Sequence, residues 1–167
     1  MTHGNMDRLP QRKRLCHTPP TGVRNSSVFF LTVCCAKRGI AQLDRSEIFA
    51  AMTDAVEHYM ARDKWWMTLF LALPDHGHAV VSFQEAAGMD KVVRDWKRFI
   101  AKATGVMWQD GFFEHRVRSP ESANEKWHYI RLNPVRKGLV ENPEDWPYVW
   151  MPKQVGMALD DSIGRRA

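Results

Sequence analysis

Hydrophobic positions change their period several times along this chain. Val28-Phe29-Phe30-Leu31-Thr32-Val33-Cys34-Cys35 is rich in aromatic and β-branched residues, which predicts a first strand closed by Lys37-Arg38-Gly39. From Asp44 to Arg62 the apolar residues return at helical spacing, with Ile48, Ala51, Met52, Ala55, Val56 and Tyr59 on one face. Asp44 is the expected cap of that helix, with Glu47 three residues on as in a capping box. Trp65 to Leu73 and His78 to Phe83 read as a second and third strand, joined as a hairpin through a tight connection that begins Pro74-Asp75. Asp90 to Thr104 predicts a second helix, its buried face made of Val92, Val93, Trp96, Phe99, Ile100 and Ala103, and Gly105 ends it. Phe112 to Arg118 is a fourth strand. Ser119-Pro120-Glu121 then opens a third helix, with Ser as cap and Pro at the first helical position. That helix is expected to run to about Leu132, because Pro134 disfavours helix at Asn133.

The order strand–helix–strand–strand–helix–strand, followed by one more helix, predicts an α+β fold. It is the ferredoxin-like plan, an antiparallel sheet with helices on one face, plus an extra C-terminal helix that carries Tyr129. Residues 1–25 are polar, basic and broken by Pro10, Pro19, Pro20 and Gly22, as an N-terminal arm would be. Residues 26–150 form the expected single domain, and residues 151–167 lack periodicity and read as a flexible tail. A length of 167 residues with 44% hydrophobic content suits one core. No apolar run is long enough to span a bilayer and no signal segment is evident, so the expected location is cytoplasmic, with no membrane partner. Cys16, Cys34 and Cys35 make an odd count, and the adjacent pair is read as reduced packing residues.

Charge adds a partner class. The net charge is +5, and residues 1–25 hold Arg8, Arg12, Lys13, Arg14 and Arg24 against Asp7 alone. Residues 91–138 hold eleven basic and five acidic side chains, and the remainder is acidic. Such a distribution suits a polyanion such as DNA or RNA, although a solvated helix face explains it equally well. Candidate phosphate contacts are Arg12, Lys13 and Arg14 in the arm, Arg94, Arg98 and Lys102 in the second helix, and Arg116 and Arg118 beside the fourth strand. Of seven tryptophans most belong in a core, and Trp108 and Trp127 are candidates for stacking on unpaired bases.

Two short patterns suggest chemistry. His76-Gly77-His78 places two imidazoles on alternate residues of a strand, hence on one face, where they could share a metal ion. Simple turn chemistry around Pro74-Asp75 is the competing explanation. Tyr129 and Asn133 lie four apart, on one face of a helix, with Glu125 one turn earlier. The tyrosine would be a nucleophile needing help to ionise, since a free phenol has a pKa of about 10; an ordinary amphipathic tyrosine is the plainer alternative. His115 could move a proton or hold a phosphate, and a structural use fits it as well.

The motifs bring in a family. Leu73-Pro74-Asp75-His76-Gly77-His78 resembles the "M-P-D/N-H-hydrophobic-H" motif of single-tyrosine HUH transposases. The segment from Trp108 to Arg118 resembles their "W-Q-x-G-F-F-D-H-x-x-R" stretch. Tyr129 to Val140 and then Asp145-Trp146-Pro147-Tyr148 are similar to the "Y-I-x-x-N-P-V-x-x-G-L-V … D-W-P-Y" ending of the branch called REP-associated tyrosine transposases. The resemblance implies His76, His78 and Asn133 as metal ligands, Mg²⁺ or Mn²⁺ as cofactor, and Tyr129 as the nucleophile. It implies a substrate of single-stranded DNA bearing a REP-type hairpin, cut to leave a 5′-phosphotyrosine and a free 3′-hydroxyl. Members of this branch are monomers and their insertion-sequence relatives are dimers, so monomer or homodimer stays open. Gly77 departs from the pattern, and with no side chain to pack behind the ligands it predicts a weaker metal site. That departure favours the main alternative, a catalytically inactive hairpin-binding module; a hydrolase using metal-bound water is a third.

Overall fold

The computed structural model describes residues 27–84 and 87–152, so Arg12, Lys13 and Arg14 and nearly all of the expected tail lie outside the described residues. The elements follow the order β1 (Val28–Cys34), α1 (Ser46–Met60), β2 (Trp65–Leu73), β3 (His76–Phe83), α2 (Met89–Thr104), β4 (Phe113–Val117), α3 (Pro120–Arg136) and β5 (Val149–Trp150). The strands form one sheet in the order β4-β1-β3-β2-β5, every pairing antiparallel. The first four strands follow the expected ferredoxin-like plan. β5 is new: a two-residue strand is too short to show a period in sequence. It covers the free edge of β2, held there by Trp146 Nε1 donating to the Ala72 carbonyl at 2.8 Å and Ala72 N donating to the Tyr148 carbonyl at 3.0 Å.

Both faces of the sheet are covered, by different helices. Leu31, Val33, Ala79, Val81, Phe70 and Ala72 face α1 and α2 in the larger core. Leu69, Leu71, Leu73 and Val80 face the other way, onto Ile130 of α3 and onto Trp146. A register shift between Met67 and Leu69 explains how β2 keeps large residues on both sides. α3 therefore stands across the sheet from the other two helices.

Three local expectations are corrected. Asp44 does not cap α1: Arg45 takes the extended capping conformation and no side chain bonds the helix start. The buried stripe of α2 is Val92, Val93, Trp96, Lys97 and Ile100, which leaves Phe99 52% exposed rather than in the core. Lys97 sits in the stripe because its Nζ donates to the carbonyls of Gln109, at 2.6 Å, and Gly111, pinning the loop that leads into β4; burial lowers its pKa. Finally, α3 continues through Asn133 and Pro134 to Arg136. Proline removes one donor but lies buried here, and the turn beyond is closed by Lys137 N to the Asn133 carbonyl at 3.0 Å and Leu139 N to the Pro134 carbonyl at 2.9 Å. Gly138, with φ at +67°, then ends the helix.

Candidate active site

β3 begins at His76, so strand alternation holds through Gly77 and both histidines point to the α3 side. Each ring is buried and held by its Nδ1 edge. His78 Nδ1 lies 2.9 Å from Thr32 Oγ1 on the neighbouring strand, where the two residues pair across β1 and β3. His76 Nδ1 lies 2.5 Å from Asp75 Oδ1. The same carboxylate accepts from Gly39 N at 2.7 Å and faces Arg38 Nε at 3.3 Å. The ring centroids are 5.0 Å apart. With Nδ1 engaged on each ring, Nε2 is the nitrogen left for a ligand; the Asp75 carboxylate fixes the His76 tautomer, and Thr32 orients the His78 ring.

The electrostatics favour neutral, electron-pair-bearing rings. Burial, with His76 and Lys137 adding positive charge nearby, pushes His78 down to about 3. Burial also lowers His76, against the opposing pull of Asp75. Asp75 is itself raised by burial, but the Gly39 N–H, His76 and Arg38 outweigh that and hold its carboxyl below the usual range.

Tyr129 projects from α3 with 43% of its surface exposed. Its ring meets Phe30 edge-on at 6.4 Å, and Phe30 in turn stacks on His78 at 5.3 Å. Arg136 lies over the Tyr129 ring, its Cζ 4.8 Å from the centroid, and Lys126 Nζ stands 6.0 Å away. Asn133 sits one helical turn on, only 5% exposed, and its Nδ2 has no hydrogen-bond partner. The helix brackets its position. Tyr129, one turn before, reaches the ring that stacks on His78, and Lys137, one turn after, is near enough to depress both histidines. An unsatisfied buried amide is costly unless something occupies it. The unpaired atom is the amide N–H₂, a donor that cannot ligate a cation, so Asn133 would bind one through Oδ1. Two neutral imidazoles and that oxygen fit a divalent cation. Among the described residues no cluster of three or more His, Cys, Asp or Glu side chains could hold one.

The basic candidates divide. Arg94, Arg98 and Lys102 are exposed on α2, across the sheet from the histidines, and do not border the site. Arg116 pairs opposite Phe29, so it shares the α1–α2 side, and Arg118 is exposed just past β4. Trp108 packs on Trp96 at 5.8 Å in the larger core, and Trp127 packs in the smaller one. Sequence reasoning missed Phe30 and Thr32; both lie on alternate residues of β1, the parity that also faces α3. It likewise missed the role of Asp75 and the placement of Lys126, Arg136 and Lys137 around the site.

Comparison with known proteins gives the same direction. No protein-family model matches the chain. A REP-associated tyrosine transposase of Escherichia coli (strain K12) is 27% identical over 124 residues, covering 69% of this chain and 74% of that protein. A Haemophilus influenzae protein is 26% identical over 141 residues, covering 72% of this chain and 77% of its own length. The solved structure of a REP-associated tyrosine transposase bound to a REP hairpin superposes with a TM-score of 0.68 at 23% identity, covering 87% of this chain and 96% of that one.

Proposed function

With kinship to the REP-associated tyrosine transposases, read from three motifs and borne out by these relatives, as the premise, we propose that this chain is a metal-dependent transposase. It binds single-stranded DNA carrying a REP-type hairpin, and it cleaves and rejoins that strand through a 5′-phosphotyrosine on Tyr129. The observation that carries the proposal is that Tyr129 of α3 and His78 of β3 touch the same ring, Phe30. A nucleophile thus stands beside two neutral imidazoles, one helical turn from the buried Asn133, whose Oδ1 is the atom that would ligate.

His76, His78 and Asn133 would hold Mg²⁺ or Mn²⁺, which supplies Lewis acidity toward a phosphoryl oxygen and screens its charge. The protein does the rest. The Asp75 carboxylate, an acceptor only, holds the proton of His76 on Nδ1, and the Thr32 hydroxyl orients the His78 ring. Phe30 and Arg136 restrain the Tyr129 ring. The phenol oxygen attacks phosphorus, giving up its proton to solvent. The bond from phosphorus to the 3′ oxygen breaks, and that oxygen leaves as a hydroxyl after taking a proton. The phosphodiester energy stays in the tyrosine ester, so a later 3′-hydroxyl reverses the step without another energy source. Gly77 gives no support to the inactive alternative, because the space beside it is filled: a side chain there would meet Phe70 at 3.0 Å.

The test is a denaturing gel of protein mixed with labelled hairpin DNA and Mn²⁺ or Mg²⁺. A metal-dependent covalent band, absent in Tyr129→Phe, is expected. A variant lacking the phenol oxygen that still cuts like the native chain would remove Tyr129 from the chemistry.

A further inference from the structure

α3 covers only part of its face of the sheet. It packs over β2 and β3 and meets β4 near the buried Val117, whereas Phe113 to Arg116 of β4 are exposed. Phe113 lies in that open area with 63% of its surface exposed, the most exposed of the large hydrophobic residues described. It is not a stray surface residue. Phe113 pairs with Thr32, and Thr32 pairs with His78, so the three stand in one row across β4, β1 and β3 on the same face. In the next row His115 pairs with Phe30, the ring beside Tyr129. Strands lie about 4.8 Å apart, which puts the Phe113 backbone roughly 10 Å from that of His78. Thr32, the residue between them, is small, so the row is a shallow trough rather than a wall. Its inner rim carries Lys126, 5.6 Å from the Phe30 centroid, and Arg136 beyond Tyr129. Glu114 and Arg116 alternate with these residues and share the α1–α2 parity. The preceding phenylalanine, Phe112, packs into the larger core, so of the two only Phe113 is presented.

An exposed ring on a rigid strand, with cations at the far rim and a nucleophile between, suits an unpaired base whose backbone passes the histidines. We infer that Phe113, flanked by His115 and Phe30, is the stacking platform for an unpaired base next to the phosphate that is cut. The inference rests on the single-stranded DNA proposal above and names the residue that seats the strand beside the hairpin. The β4 backbone edge is a different surface, so a protein strand pairing there would use hydrogen bonds and not this ring.

The experiment uses full-length protein and a REP-type hairpin oligonucleotide with single-stranded flanks, 2-aminopurine being placed at each flank position in turn. Binding is followed in the Tyr129→Phe background by probe fluorescence, and adduct formation is followed in parallel with Tyr129 present. Stacking on the ring quenches the probe at one position. Phe113→Ala is expected to abolish that quenching and weaken binding of flanked hairpin about tenfold, in line with the usual worth of one stacked base. It should leave an unflanked hairpin bound as before, and Phe113→Trp should restore both signals. Phe99→Ala, at another exposed ring, on α2, should change nothing. The inference is overturned by unchanged quenching in Phe113→Ala, or by equal loss for flanked and unflanked hairpins. It is also overturned if the substitution alters the sedimentation of the DNA-free protein, which would make this face a contact between copies. An adduct that forms while Phe113→Ala has no effect sinks the platform alone. A platform signal without any adduct sinks the cleavage proposal alone.

Discussion

Gly77→Val tests whether the glycine between the two histidines is a defect or a fitted part. A Cβ at this position would lie 3.0 Å from Phe70 Cε2, 3.2 Å from Phe70 Cζ and 3.4 Å from Val33 Cγ2. The Phe70 ring cannot retreat easily, being 1% exposed and packed at 6.2 Å against Phe49 and 5.7 Å against Trp96. The crevice beside Gly77 offers about 10 Å³, no more than a single water needs. Forcing extra carbons into such a core costs about 1–3 kcal/mol. Removing a strand glycine returns about 0.5–1 kcal/mol through the unfolded chain. The net expectation is a loss of about 1–2 kcal/mol, read as a lower midpoint at unchanged slope in urea with chelator present. Phe70→Leu should relieve the clash, so the double variant should be more stable than the sum of the single changes by about 1 kcal/mol or more. Mn²⁺ affinity should stay within about threefold, since a one-unit change in log affinity takes about 1.4 kcal/mol and Gly77 faces the core opposite the ligands. Additivity of the two substitutions would refute the packing account. Tighter Mn²⁺ binding in Gly77→Val would show instead that the glycine weakens the site.

Other consequences can be measured directly. Asp75→Asn removes the carboxylate that holds His76 Nδ1, and calorimetry should find Mn²⁺ bound about 10–100-fold more weakly. In metal-free protein the folded His78 resists protonation down to about 3 whereas the unfolded chain takes up a proton near 6.5. Stability should therefore fall as pH drops below about 6.5, by about 2 kcal/mol between pH 7 and 5 from this residue alone, and a flat urea midpoint across that range would contradict the buried neutral ring. Lys97→Met leaves the Gln109 and Gly111 carbonyls without their donor, so thermal unfolding should show a loss of about 1–3 kcal/mol.

What could be read in advance follows from periodicity. The strands and helices are long enough to declare themselves, and the alternation of His76 and His78 needed only that β3 begin two residues before the expected His78. Which helix covers which face is another matter. Trp65 to Leu73 is apolar but for Thr68 and carries no alternation to assign its sides. So periodicity could not tell that Arg94, Arg98 and Lys102, candidate phosphate contacts on charge, lie across the sheet from the histidines. Pro134 misled for a related reason: the local penalty before proline is real, but burial of the proline and the turn beyond it carried α3 on to Arg136. Phe113 was legible only in part, since a Phe-Phe doublet on a strand must split between two faces, but nothing in the sequence says which face is left open.

The contact of Tyr129 and His78 with one phenylalanine of the same chain also sets a stoichiometry. On the proposed chemistry a single molecule contains one nucleophile and one complete set of ligands, so it has one covalent seat for a severed strand. Cutting should then be first order in the protein–DNA complex and indifferent to added protein. Joining two separate ends needs two events in succession or two molecules, and its dependence on protein concentration would tell which.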